Sequence, residues 1–87
     1  MVVVFIPPAW RDLTAGRAEV RLAAMSVRQV IEGLEALYPG IAARALADDS
    51  LKPGLAVSIN GTISRRGLRG AVPEGAEVHF LPALGGG

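Results

Sequence analysis

The chain contains no cysteine. That single absence excludes disulfides, thiolate metal sites and a cysteine nucleophile. It has one histidine, His79, and without cysteine beside it no dedicated zinc or iron site is expected. Aromatic residues make up 5% of the chain and none interleaves with the arginines, so a base-stacking nucleic-acid surface is not indicated. The formal net charge is only +1, which gives little long-range attraction to nucleic acid or to an anionic membrane. No apolar run approaches the roughly 20 residues that a membrane span requires. Met1 to Ile6 is apolar, but it lacks a preceding basic stretch and stops at Pro7-Pro8, unlike a signal peptide. The expected location is therefore the cytoplasm, with no membrane and no nucleic acid as partner. Lysine is nearly absent as well, one against eight arginines, and this carries no functional reading.

What is present is a strongly apolar small chain. At 87 residues and 51% hydrophobic, it fits one folded domain with a modest core. Val2 to Ile6 is a continuous β-branched run, expected as a strand buried on both faces and hence central in its sheet. After Pro7-Pro8, Ala9 to Gly16 is expected as a loop carrying Trp10, Arg11 and Asp12. Ala18 to Leu22 alternates, with Ala18, Val20 and Leu22 inward, and pairs antiparallel with the first strand. Ser26-Val27-Arg28-Gln29 has the form of a capping box opening a helix. Val27, Val30, Ile31, Leu34 and Tyr38 then form one apolar stripe, widened by Leu37, with Arg28, Glu32 and Glu35 on the wet side. Gly33 costs about 1 kcal/mol against alanine, a cost that close packing would offset. Pro39-Gly40 stops the helix.

Ile41 to Ala47 is alanine-rich and reads as a short second helix, with loops at Asp48 to Ser50 and Lys52 to Gly54. Leu55 to Ile59 alternates as a strand, Asn60-Gly61 signals a type I′ hairpin turn, and Thr62 to Ser64 is a short return strand at an edge. Arg65 to Gly70 is a basic, glycine-broken loop, read as solvated or as a docking patch for an acidic partner or a phosphate through Arg65, Arg66 and Arg69. Val72 to Gly75 fits a turn with proline second and glycine fourth. Glu77 to Leu81 is the last strand, with Val78 and Phe80 on one face and His79, a rim residue, on the other. The expected architecture is α+β: a mixed sheet of about five strands curled around one main helix, the β-grasp arrangement, with first and last strands adjacent at its centre. Residues 1–81 form the domain and residues 82–87 a tail.

The tail is Pro82-Ala83-Leu84-Gly85-Gly86-Gly87. A glycine run is thin and conformationally free, so it can thread a channel that side chains would block. Six extended residues reach roughly 20 Å, enough to carry the Gly87 carboxylate into another protein.

Three blocks together resemble the ThiS/MoaD family of ubiquitin-like sulfur carriers: Leu13-Thr14-Ala15-Gly16, Val57-Ser58-Ile59-Asn60-Gly61, and everything from Val72 to Gly87. Family members share a turn and strand followed by a proline, an apolar pair and a terminal diglycine, here Gly86-Gly87. Gly85 stands where alanine or serine is usual, and Ala76 replaces a common aspartate. Ile6-Pro7, Arg11, Leu34-Glu35-Ala36, Tyr38, Gly40-Ile41 and Phe80 to Leu84 resemble in particular the CysO-type branch of cysteine biosynthesis. Small subunits of molybdopterin synthase share most of the end block.

The resemblance implies a mechanism. An E1-like adenylyltransferase/sulfurtransferase would adenylate Gly87 with ATP, and a sulfur donor would displace AMP to leave a thiocarboxylate. A sulfur-accepting enzyme, either a cysteine synthase or a molybdopterin synthase large subunit, would then take the sulfur; a thiamine pathway is a further destination. Gly87 carries the reactive carbon, Gly86 and Gly85 supply thinness, Leu84 anchors in the partner, and Leu81 and Pro82 set the exit. The chain would bind no cofactor or metal, and it would be a protein cosubstrate rather than an enzyme, or a small enzyme subunit in the molybdopterin case. Other readings of the same residues are a β-grasp interaction module acting through the arginine loop, and a protein modifier joined to lysines.

Overall fold

The computed structural model describes residues 1–82. The valine run at the start becomes strand β1 (Val2–Phe5), as its β-branched content favours. The chain then forms β2 (Glu19–Leu22), α1 (Val27–Leu37), α2 (Ile41–Ala45), β3 (Leu46–Ala47), β4 (Ser50–Leu51), β5 (Leu55–Ile59), β6 (Thr62–Ile63) and β7 (Glu77–Pro82). Five strands make one mixed sheet in the order β2-β1-β7-β5-β6. β1 pairs antiparallel with β2 and parallel with β7, while β7 pairs antiparallel with β5. First and last strands are therefore neighbours inside the sheet, the expected β-grasp arrangement.

One face of the sheet closes on α1. Val2, Val4, Val20, Leu22, Val57, Val78 and Phe80 point inward and meet Val27, Val30, Ile31 and Leu34 of the helix. Burying each such side chain contributes about 1.5–3 kcal/mol. The helix opens where its cap predicts: Ser26 Oγ accepts from the Gln29 amide at 3.2 Å. The returning bond is displaced by one residue, because Gln29 Oε1 accepts from the Met25 amide at 2.7 Å rather than from Ser26. Gly33 has a packing reason. A Cβ there would stand 3.2 Å from Leu22 Cδ2, so the glycine lets α1 sit close on β2.

Several local expectations change. β1 is interior but not buried on both faces, since Val3 and Phe5 are only half-buried on the outer side. There the His79 ring stacks on Phe5 with centroids 4.2 Å apart. Ala18 is exposed, and β2 begins at Glu19. Leu37 is 56% exposed and drops out of the stripe, because it lies in the last turn, just before the Tyr38 cap. Glu35 is not on the wet side: it is half-buried, and Oε1 accepts from the Gly40 amide at 3.1 Å and the Ala42 amide at 2.9 Å, capping α2. The second helix is shorter than its alanine content implies. It ends at Ala45, and β3 and β4 form a small hairpin that turns at Asp48, whose φ is 57°. The final turn shifts by one residue. The Ala76 amide donates to the Pro73 carbonyl at 3.1 Å, which puts Gly75, with φ of 78°, in the third position where positive φ is required. The Asn60-Gly61 turn is as expected, with φ of 51° and 84°.

The segment from Ala9 to Gly16 differs most from a loop. Pro8–Trp10 is a turn of 3-10 helix, and Trp10 is buried with its ring 5.2 Å from that of Phe80. Thr14 is fully buried, and its hydroxyl donates to the Arg17 carbonyl at 3.0 Å. This segment is a lid on the core beside β7. Replacing Trp10 with alanine is expected to cost about 3–5 kcal/mol, as for other large-to-small core changes. Urea denaturation would measure it, and a loss below about 1 kcal/mol would show that the lid contributes little.

Candidate functional site

The sheet positions the root of the tail. β1 ends at Phe5 opposite His79, so β7 continues past it through Phe80, Leu81 and Pro82. On the other side β5 accompanies β7 to its end, with Ala56 opposite Leu81 and Leu55 opposite Pro82. The last residues of β7 are thus held by sheet pairing from the β5 side, while Phe80 is fixed from below by Trp10. Pro82 is the final strand residue and is exposed, in keeping with a residue that cannot donate onward into a ladder. Leu81 is half-buried on the outer face, close to the Phe5–His79 stack. Leu84, Gly85, Gly86 and Gly87 lie outside the described residues.

The same end of the sheet is braced by an ion pair. Because β1 and β7 are parallel, the segment that follows Ile6 lies at the end where β7 stops. Asp12 in that segment accepts from both terminal nitrogens of Arg44 on α2, at 2.6 and 2.8 Å, and Arg44 also donates to the Ala9 carbonyl at 2.7 Å. Arg11 Nε donates to the Ile6 carbonyl at 3.1 Å. These contacts tie α2 and the Trp10 segment to the strand ends.

Arg65, Arg66 and Arg69 are all exposed, on a turn far more ordered than a solvated loop. Gly67–Arg69 is a 3-10 turn whose central Leu68 is buried in the core. The Gly70 carbonyl accepts from the Val27 amide at 3.0 Å, which fastens the turn to the start of α1. A Cβ at Gly70 would stand 2.6 Å from Ser64 Oγ and 3.2 Å from Val27 Cγ2, so a side chain there would push the Ser64 hydroxyl aside. The three arginines line an open cleft of about 590 Å³. The structure does not bring them onto β7; β5 and β6 stand between. The sequence signalled the charge, but nothing in it signalled that Leu68 and Gly70 would lock the turn.

Among the described residues no three histidine, aspartate or glutamate side chains gather as a metal cage, and no helix is long and apolar enough to cross a membrane.

Against this geometry, the family model that matches is that of the ThiS family, over residues 4–87. The chain belongs to the ThiS family of ubiquitin-like sulfur carriers. A chain in the crystal structure of the Amycolatopsis orientalis BexX/CysO complex superposes with a TM-score of 0.91 at 31% identity, covering 100% of both chains. Mycobacterium tuberculosis CysO, described as an antigen, gives 0.88 at 32% identity, covering 97% of this chain and 100% of that one. SAMP1 from Haloferax volcanii gives 0.77 at 23% identity over 99% and 98%, a likeness of fold. A search of curated proteins found no match. The resemblance read from the three sequence blocks is thus borne out, and so is the likeness to CysO.

The brace at the exit end predicts an acid limb of stability. The hydrogen bond from Arg44 holds the Asp12 carboxyl below its ordinary value. A depressed folded-state value means the pair stabilises above the ordinary carboxylate range, and that contribution is lost as pH falls through the depressed value. Both side chains are largely exposed, so the effect is small. Replacing Arg44 with alanine should lower the melting temperature at neutral pH, and the gap to wild type should narrow at the acid end to what the Arg44–Ala9 bond contributes. Thermal melts across that range would check it, and a gap that widened in acid would contradict the assignment.

Proposed function

We propose that this chain carries sulfur as a thiocarboxylate on the C-terminal carboxylate of Gly87. The observation that supports it most is the family match, which extends over residues 4–87 and so includes the glycine end, on a sheet whose central strand runs straight into that end. An ionised carboxylate is a poor electrophile and must be activated first. In the proposed sequence an E1-like adenylyltransferase/sulfurtransferase binds ATP, and a Gly87 carboxylate oxygen attacks the α-phosphorus. Pyrophosphate leaves and an acyl-adenylate remains. A sulfur nucleophile supplied by that partner then attacks the acyl carbon, AMP departs, and one oxygen of the terminus has been replaced by sulfur.

The chain's own contribution is presentation. β7, paired with β1 as far as His79 and with β5 to its end, gives the tail its base, and Pro82 is the last strand residue. Gly85 and Gly86 let the backbone fit a narrow channel, and Leu84 is the apolar anchor within it. Leu81 offers a second apolar contact on the outer face. The protein is then a cosubstrate, with ATP bound by its partner and no cofactor of its own. The receiving partner is a sulfur-accepting biosynthetic enzyme, and the likeness to two CysO structures favours the cysteine pathway. The BexX/CysO complex supports the general expectation that a carrier of this shape docks on a partner protein.

The test is intact-mass measurement after incubation with the activating enzyme, ATP and a sulfur source. The expected product is the full chain with one oxygen exchanged for sulfur. A variant lacking Gly86 and Gly87 should fold and melt as the wild type does yet remain unmodified. If the wild-type chain is never modified by any activating enzyme of its own genome, the proposal fails. Activity that survives loss of the two glycines would point instead to an interaction module.

A further inference from the structure

The arginine turn has no role in the steps above. Among the described residues the ion pairs are Met1–Glu74, Arg28–Asp49 and Arg44–Asp12, and none involves Arg65, Arg66 or Arg69. The nearest acidic neighbour across the turn, Asp49, is taken by Arg28 at 2.8 Å. Nor does the turn need the guanidiniums for its own order. That comes from buried Leu68, from the Gly70–Val27 bond, and from Ser64, whose amide donates to the Val57 carbonyl at 2.9 Å and whose hydroxyl accepts from the Arg66 amide at 3.3 Å. Three like charges within five residues repel one another, and among the described residues no ion pair holds any of them.

Their position relates them to the tail. Ser64 bonds to Val57, and Val57 lies opposite Phe80 of β7. The turn therefore leaves the sheet level with Phe80, two residues short of Pro82. β6 is two strand spacings from β7, roughly 10 Å to one side. The turn begins at that level with Arg65 and Arg66 and closes at Gly70 on the start of α1.

We propose that Arg65, Arg66 and Arg69 form a docking surface for a run of aspartate and glutamate side chains on the activating enzyme that takes in the tail. The inference rests on the sulfur-carrier reading for the identity of that protein, but not for the chemistry of the surface. The open cleft of about 590 Å³ is much larger than one phosphate needs, and all three side chains are exposed rather than converging on a buried point. Nucleic acid would find no aromatic platform, because Phe5, Trp10, Tyr38 and Phe80 all lie away from the turn and the net charge is only +1. Guanidiniums match carboxylates two bonds at a time, which favours a protein surface of carboxylates.

Two measurements on the full chain test this. The first follows backbone amides by NMR while adding an acidic peptide of about ten aspartates, inorganic phosphate, or single-stranded oligouridine. Saturable shifts confined to residues 64–70 with the peptide, and not with the other two at equal charge, are expected. Tighter saturation by phosphate or by oligouridine would overturn the proposal, as would no response to any of them. The second compares thiocarboxylation of wild type with the triple variant Arg65→Ala, Arg66→Ala, Arg69→Ala and with the corresponding triple lysine variant. The alanine variant should lose about tenfold in kcat/KM at low salt and show a flatter salt dependence, and lysine should recover most of the loss. Equal rates and equal salt dependence for wild type and the alanine variant would overturn the proposal while leaving the carrier reading intact. A wild type that is never modified would instead defeat the carrier reading, and the peptide titration would still decide the surface.

Discussion

The pairing of the last strand between the first strand and β5 is the constraint on which the rest depends. A strand with neighbours on both sides cannot move without breaking two ladders. Its inward residues, Val78 and Phe80, are at the same time part of the core. Because β1 and β7 run parallel, a hairpin cannot join them, and the chain between must travel around the sheet. α1, the β3–β4 hairpin and the arginine turn are all parts of that journey. α1 covers the inner face with help from that connection, since Ile41 and Ala45 of α2 and Leu68 of the arginine turn are buried in the same core.

The rigidity has a functional consequence. Binding a free tail costs conformational entropy in proportion to the residues that must be ordered. β7 is already ordered by its pairing with β5 through Pro82, so the strand itself adds nothing to that cost. Trp10 extends the same logic underneath, pinning Phe80 from a segment that the Asp12–Arg44 pair holds in place.

Much of this was legible in the chain. The Asn60-Gly61 turn, the Ser26 cap, the apolar stripe from Val27 to Leu34 and the adjacency of first and last strands all follow from local chemistry that the fold leaves undisturbed. The failures share a cause. Trp10 and Thr14 sit in an aperiodic segment, so no pattern marked them as buried; only the rarity of an exposed tryptophan hinted at it. β3 and β4 are two residues each, too short for alternation to show. Glu35 has the polarity of a surface residue, yet its carboxylate is needed by the orphan amides at the start of α2. The glycine end was legible as composition and as family resemblance, and the arginines were legible as charge. The ordering of their turn was not, since it depends on one buried leucine and on a glycine whose neighbours come from elsewhere in the chain.

The two proposed contacts divide recognition in a way that suits a carrier. A thin glycine tail with one apolar anchor has little to tell one partner from another, because most of its bonds are made by backbone. Charges at a rim contribute modestly to affinity but orient the encounter and penalise partners with the wrong sign. A chain with a net charge of +1 has no strong overall field, so three guanidiniums gathered on one rigid turn act locally. In the proposed docking, their place beyond β6 would set the rotation of the domain on its partner. On that reading an activating enzyme takes the tail for chemistry and the turn for orientation.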